Sequence, residues 1–390
     1  MSDISLAPSL VHVAPSQIRA IADVAFPMEG VLKLHFGESN LQTPQYLKDA
    51  AYQAMNEGYT FYSENAGLPA LRTAIAAKYA ELHQIDLNAA DEILITASGV
   101  QALNVSIRCV IDPGDEALVL TPNWPNGSAI VSLFGGSPRE LPLSWNGVRY
   151  EIDFAALENA LTPKTRLLIY ASPSNPLGWV ADVAEQQALL DFCRRHELWL
   201  LADEVYERIY YGGEVAPSIL RLCTRDDAVI VVQSFSKSYC MTGWRLGWVV
   251  ARRDLIIKAA QLNEFIVSHA PSMIQRAGIK ALQQGEEDIS TMVKSLRGKV
   301  DFCYEAFHSM KGVSVARPEG AFYLFAQIAE VDDSYSFALR LLEETRVAVA
   351  PGVAFGNGGE GAVRICCAAD MSILEEAIER IGNFLAKILK

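Results

Sequence analysis

The sequence predicts an α/β fold, with a large domain built on a mostly parallel central sheet covered by helices and a smaller α+β domain beside it. Three observations predict it. Short apolar runs alternate with amphipathic stretches from about residue 45 to 285. Most of those runs are continuous in Val, Ile and Leu, which fits strands buried on both faces. After about residue 285 the pattern changes to a long helical stretch followed by short strands.

In order, residues 93–96, 117–120, 166–170, 198–202, 229–232 and 247–250 read as strands. Between them, residues 99–111 and 183–196 carry apolar positions at helical spacing. Strand, helix, strand in repetition argues for a parallel sheet with helical crossovers. Residues 286–310 then read as a helix, 321–327, 347–349 and 363–366 as short strands, and 372–389 as a closing helix. The Pro-punctuated residues up to about 40 are expected to pack on the smaller domain. The expected division is a large domain over 45–285 and a small one from 1–44 and 286–390. There is no internal repeat or low-complexity stretch.

Composition narrows the function. With 51% hydrophobic and 20% charged residues the chain reads as globular, and 390 residues can bury a core without a disulfide or metal staple. The net charge of −13 disfavours nucleic acid and anionic membrane as partners. Seven cysteines, an odd number with no CxxC, read as free thiols in a reducing, cytoplasmic compartment. Six scattered histidines, without HExxH or HxH, give no metal site. The opening MSDISLAPSLVHVAP has no basic region ahead of its apolar residues, so no signal peptide is expected. No run approaches the roughly 20 apolar residues of a membrane helix.

Four segments carry candidate chemistry. Ser234-Phe235-Ser236-Lys237-Ser238, with Met241-Thr242-Gly243-Trp244-Arg245-Leu246-Gly247, follows the run at 229–232. Ligands of α/β sheets gather at the carboxyl ends of strands. There, desolvation and nearby cations turn a lysine into a free amine able to attack a carbonyl. Ser234 and Arg245 can hold a phosphate. The plainer alternative is a surface lysine in a polar turn. Asp203, in Ala202-Asp203-Glu204-Val205-Tyr206, ends a buried run, where a carboxylate needs a partner; it can also be a helix N-cap. Asn175, in Ser172-Pro173-Ser174-Asn175-Pro176-Leu177, can donate to a ring oxygen or simply make an Asn-Pro turn. In Thr96-Ala97-Ser98-Gly99-Val100, a turn opens a helix whose free amides suit an anion, with Ser98 equally able to be a cap. Arg364, inside an apolar run, calls for an anion: a substrate carboxylate or a buried ion-pair partner.

Together these segments resemble the class I/II aminotransferases, enzymes of the fold-type-I pyridoxal 5'-phosphate group. The resemblance runs from about residue 15 to 385 in the family's order, and SxSKxxxMTGWRLG is its most specific signature. It implies that Lys237 holds the cofactor as a Schiff base and that Asp203 pairs with the pyridine nitrogen. It gives Asn175 and Tyr206 to the ring hydroxyl. Ser98, the Gly99 amide, Ser234 and Arg245 go to the phosphate, with Val100 beside that loop. Trp124, for which plain core packing is the alternative, matches the aromatic stacked on the ring. Tyr62 matches the tyrosine that reaches the partner subunit's phosphate, so a homodimer with active sites at the interface is implied. Arg364 matches the clamp on the substrate α-carboxylate, and Gly37 a backbone position near it. The implied reaction is ping-pong transfer of an amino group from an L-amino acid to a 2-oxo acid.

Two departures bear on this. Leu177 stands where the family has Thr, which alters local packing only. Val100 stands where aspartate-type relatives carry Lys, which weakens the case for an acidic amino-acid substrate. The main alternative is a carbon–sulfur β-lyase or a synthase on the same scaffold. A ligand-sensing domain of a transcription regulator is disfavoured by the missing DNA-binding module and basic patch. Gly356-Asn357-Gly358-Gly359-Glu360-Gly361 fits GxGxxG but precedes a strand instead of leaving one, so it reads as a mobile loop.

Overall fold

The computed structural model describes residues 15–389. Seven strands form the main sheet: β1 (Ile93–Thr96), β2 (Glu116–Thr121), β3 (Ser137–Pro142), β4 (Thr165–Ala171), β5 (Trp199–Asp203), β6 (Val229–Ser234) and β7 (Gly247–Ala251). Their order is β1-β7-β6-β5-β4-β2-β3, parallel except for β7, which runs antiparallel to both neighbours. This is the α/β class read from the sequence.

Both faces of this sheet are buried, and alternate residues serve each. Leu94, Val119, Ile169, Leu201, Ile230 and Val249 pack towards helices Gly99–Val110 and Arg253–Glu264. Their neighbours Ile95, Leu118, Leu168, Leu200, Val231 and Trp248 pack on the other side, with helices Pro69–His83, Val183–Arg195 and Ser272–Gln284. A strand apolar at every position is what two covered faces require. The strand β3 was not expected from the sequence. Its residues, SPRELP, include two prolines and half-exposed positions, which only an edge strand tolerates.

The second sheet is antiparallel, in the order β8-β9-β11-β10: β8 (Val313–Val315), β9 (Tyr323–Ile328), β10 (Ala350–Pro351) and β11 (Ala362–Cys366). Helices Glu286–His308, Ser334–Thr345 and Met371–Ile388 share a core with it. Ile21, Ala25, Leu32 and Leu34 belong to that same core, and Leu32–Lys33 pairs in parallel with Val347–Ala348. The expected strand at 347–349 is thus two short pairings with different neighbours. Residues 1–14, expected to pack here too, lie outside the described residues. Leu177 is buried in the main core, so its departure from the family is absorbed by packing. The glycine loop at 356–361 is anchored: the Asn357 amide donates to Glu140 Oε2 at 2.9 Å and the Ser334 amide to Glu360 Oε1 at 2.6 Å. Among the described residues no helix is long and apolar enough to cross a membrane.

Candidate active site

The carboxyl ends of β1, β2, β4, β5 and β6 open into one cavity of about 410 Å³, roofed by the small sheet and the first helix, Gln17–Ala25. Because β7 runs backwards, its first residue lies at the same edge. Gly247 sits opposite Thr96 on one side and Ser234 on the other. A methyl group there would come within 2.7 Å of the Gln233 carbonyl oxygen and the Gly99 nitrogen. The glycine therefore lets the Ser98–Gly99 turn, the Ser234 turn and the approach from Arg245 close on one another.

Ser98 caps helix Gly99–Val110, its hydroxyl accepting from the Gln101 amide at 3.2 Å, so the cap reading holds as geometry. The same turn brings Gly99 and Val100 to the cavity, with the open end of the helix favouring an anion. Ser234 Oγ lies 2.9 Å from Ser236 Oγ and caps the short helix Phe235–Ser238. Arg245 is exposed, in a left-handed conformation with φ 57°, and donates to the Thr242 carbonyl at 2.7 Å. No carboxylate lies within 4.0 Å of it among the described residues.

Lys237 is no surface lysine. Its amine faces the cavity, donates to the Gly37 carbonyl at 2.5 Å and lies 5.9 Å from the Tyr206 ring centre. Burial pushes it down to about 8, with Arg364 and Arg245 acting the same way and Cys366 and Glu38 opposing. Asp203 is pushed up to about 6 by burial, against the pull of the Val205 amide and Lys237. It accepts from the Val205 amide at 3.2 Å in a turn; no helix starts there, so it is not a helix cap. Its neighbour Glu204 points to the opposite side, accepting from the Ile219 amide at 2.9 Å inside the core.

Arg364, on β11, is 2% exposed. It donates to Asn175 Oδ1 at 2.9 Å and to the His35 carbonyl, and its guanidinium lies over the Tyr323 and Phe355 rings at 4.5 and 4.9 Å. Its Nε has no partner, and no carboxylate pairs with it among the described residues. The buried ion pair considered from the sequence is therefore not present there. A buried, incompletely satisfied guanidinium at a cavity wall is a site built for an anion.

The cavity thus brings together Gly37, Gly99, Val100, Trp124, Asn175, Asp203, Tyr206, Ser234, Lys237, Arg245 and Arg364. Ser98 stands directly behind, in the turn. Trp124 both walls the cavity and packs on the core. Tyr62 is elsewhere: it is 90% exposed and its ring meets His269 edge-on at 5.8 Å.

The chain matches the family model "Aminotransferase class I and II" over residues 29–381. The chain belongs to the class I and II aminotransferases. It is 34% identical over 377 residues to the putative aminotransferase YugH of Bacillus subtilis, covering 96% of this chain and 97% of that one. It is 35% identical over 376 residues to an aspartate aminotransferase of Pyrococcus abyssi, covering 96% of each chain. Among solved structures, the aromatic aminotransferase of Pyrococcus horikoshii superposes with a TM-score of 0.88 at 34% identity, over 94% of this chain and 99% of that one. With such relatives, transamination is the reaction supported, and the carbon–sulfur lyase is not favoured.

Several wall residues escaped the sequence reading, Tyr323 and Arg19 among them. Tyr323 sits beneath Arg364, its hydroxyl 2.5 Å from that of Tyr206. The signal was available: Tyr323 shares a strand face with Phe325, which lies directly opposite Arg364 in register. Arg19 gave no signal, because nothing in a helix pattern says which face meets a distant cavity.

Proposed function

We propose that this aminotransferase binds pyridoxal 5'-phosphate through Lys237 and passes the amino group of a non-acidic L-amino acid to a 2-oxo acid by a ping-pong route. The observation that carries it is the Lys237 amine, facing one cavity with the Asp203 carboxyl and a buried Arg364 that lacks a carboxylate. The donor set fits the cofactor. Ser98, the Gly99 amide, Ser234 and Arg245 would hold its phosphate, Asp203 its ring nitrogen, Asn175 and Tyr206 its hydroxyl, and Trp124 its ring face.

Bound there, the cofactor supplies an aldehyde for the amine and a ring able to store negative charge. The chain's residues do the rest. Lys237 would hold the cofactor and, once its amine is free, would take the substrate Cα proton on Nζ, help typically worth about 10²–10⁴-fold. Asp203 presents negative charge to a ring N–H, which offsets the cost of burying both. Asn175 gives its oxygen to Arg364, leaving its Nδ2 free for the cofactor. Arg364 takes the α-carboxylate beside Gly37 and so sets which Cα bond faces Lys237.

The domain division at 45–285 against 1–44 and 286–390 is part of this proposal; each sheet has its own main core, with Phe325, Ala350, Phe355 and Ala362 of the small part and Tyr206 and Ile209 of the large part crossing between them. A homodimer is proposed too, on the outward face that carries Phe61, Tyr62 and Phe265, which are 81%, 90% and 84% exposed. Tyr62 would then serve the neighbouring subunit's phosphate. Sedimentation should give twice the 42.7 kDa chain mass; an active monomer would contradict it. The seven free cysteines support a cytoplasmic setting. The functional test is to mix the protein, loaded with cofactor, with a panel of amino acids. Loss of the cofactor's aldehyde absorbance with release of the matching 2-oxo acid is expected. Ammonia release without that change would overturn transamination.

A further inference from the structure

The glycine-rich run at 356–361 plays no part in the reading above, yet it joins two walls of the cavity. It follows the turn Gly352–Phe355 and leads into β11, the strand that carries Arg364. Its holder is Glu140, on the edge strand β3 of the large sheet. Glu140 Oε2 accepts from the Asn357 amide at 2.9 Å, and Oε1 accepts from the Ser128 hydroxyl at 2.8 Å. The Glu140 main-chain carbonyl accepts from Asn357 Nδ2 at 3.4 Å. No Lys, Arg or His nitrogen lies within 4.0 Å of this carboxylate among the described residues. Its charge is therefore directed at a backbone amide and a hydroxyl, and bonds to an ionised acceptor are the stronger kind. The fit is close. Gly356 has φ 86°, and a methyl group there would come within 2.6 Å of Glu140 Oε2.

Phe355, directly before the run, touches both walls. Its carbonyl accepts from the Asn123 amide at 2.9 Å. Asn123 in turn accepts the Trp124 amide on its Oδ1 at 2.7 Å, and both residues line the cavity. The Phe355 ring is fully buried, with its centre 4.9 Å from the Arg364 guanidinium carbon. Arg364 has no carboxylate to hold it, so its place depends on the rings of Phe355 and Tyr323 and on its bonds to Asn175 and the His35 carbonyl. A shift of the run would carry Phe355 with it and disturb Arg364. Glu140 itself does not line the cavity.

We propose that Glu140 is a positioning residue for the substrate-carboxylate site: from the edge of the large sheet it fixes the 356–361 run, which sets Phe355 between Arg364 and Asn123. The inference rests on the functional reading above for what Arg364 binds. It assigns the glycine pattern a purpose other than phosphate binding, namely a close backbone approach to a carboxylate across the two parts of the chain. Ser98, Ser234 and Asp203 come from other turns, so substrate affinity should depend on Glu140 far more than cofactor affinity does.

The test compares wild type with Glu140→Leu, Glu140→Gln and Gly356→Ala. Leu keeps the bulk and removes both acceptor oxygens, Gln keeps one of them, and Ala presses a methyl group on the same contact from the loop side. Three readings are taken: hydrogen–deuterium exchange over residues 352–361 in cofactor-free protein, the Kd for pyridoxal phosphate, and KM and kcat with an amino donor found in the panel above. Leu and Ala should speed exchange in that segment and raise KM for the amino acid roughly tenfold, the low end for weakening a hydrogen bond to a charged group. They should leave kcat and the cofactor Kd within about threefold of wild type, and Gln should lie close to wild type. Unchanged exchange, an unchanged KM in active Leu and Ala variants, or a cofactor Kd that rises as much as KM would each overturn the role of Glu140. Wild type that loads the cofactor yet moves no amino group from any amino acid would instead sink the functional reading.

Discussion

The floor of the cavity and its roof are made differently. The floor is the carboxyl edge of the main sheet, where turns after successive strands bring short side chains and backbone amides to fixed places: Ser98, Gly99, Asp203, Ser234. The roof is the small sheet and the first helix, which reach in with long side chains: Arg364, Tyr323 and Arg19. Floor positions follow from strand register, and Gly247 leaves no room to shift them. Roof positions depend on stacking and on single hydrogen bonds. The difference teaches which function each part can hold. The rigid floor suits one cofactor, and the side-chain roof can be tuned to different substrates.

The largest break should come from the floor. Lys237→Ala should lower turnover on the order of 10⁴-fold or more for every substrate pair, because both the cofactor link and the proton carrier are gone. Near-normal steady-state turnover would refute the assignment. Next, Arg364→Ala should raise KM for all amino acids, with kcat/KM falling on the order of 10²–10³, while the cofactor stays bound. Loss of cofactor together with substrate affinity would erase the distinction between floor and roof.

A pH experiment sharpens the same contrast. The free Lys237 amine is pushed down to about 8, so its neutral, attacking form is scarce at pH 6 and dominant above about pH 9. The rate at which cofactor-free protein takes up pyridoxal phosphate should therefore rise through pH 8 and level off. A rate still climbing past pH 10 would mean an ordinary solvated lysine. The smallest effect is expected from Tyr323→Phe, which keeps the ring beneath Arg364 but removes the hydroxyl beside Tyr206. A loss of about two- to tenfold in kcat, with KM nearly constant, is the expected split.

The floor was legible in the sequence because strand and turn chemistry are local. Lys237, Asp203, Asn175 and Ser98 each follow an apolar run, and the runs announced the sheet. The antiparallel turn of β7 and the edge strand β3 were not legible: pairing direction is a long-range property, and SPRELP has no apolar run to betray it. Arg364 stood out as a charge among apolar residues, whereas Tyr323 looked like any core aromatic. Arg19 was invisible for a different reason. Its place in the cavity wall depends on how the first helix sits against a sheet that begins more than seventy residues later, and no local pattern encodes that. Tyr62 shows the remaining gap, since a residue that points away from its own cavity has meaning only beside a second copy.

The most direct test of the account is to reduce the freshly loaded protein with borohydride and map the modified peptide by mass spectrometry. The account predicts one pyridoxyl phosphate adduct per chain, on Lys237. An adduct on a different lysine, or none on protein that still transaminates, would contradict it.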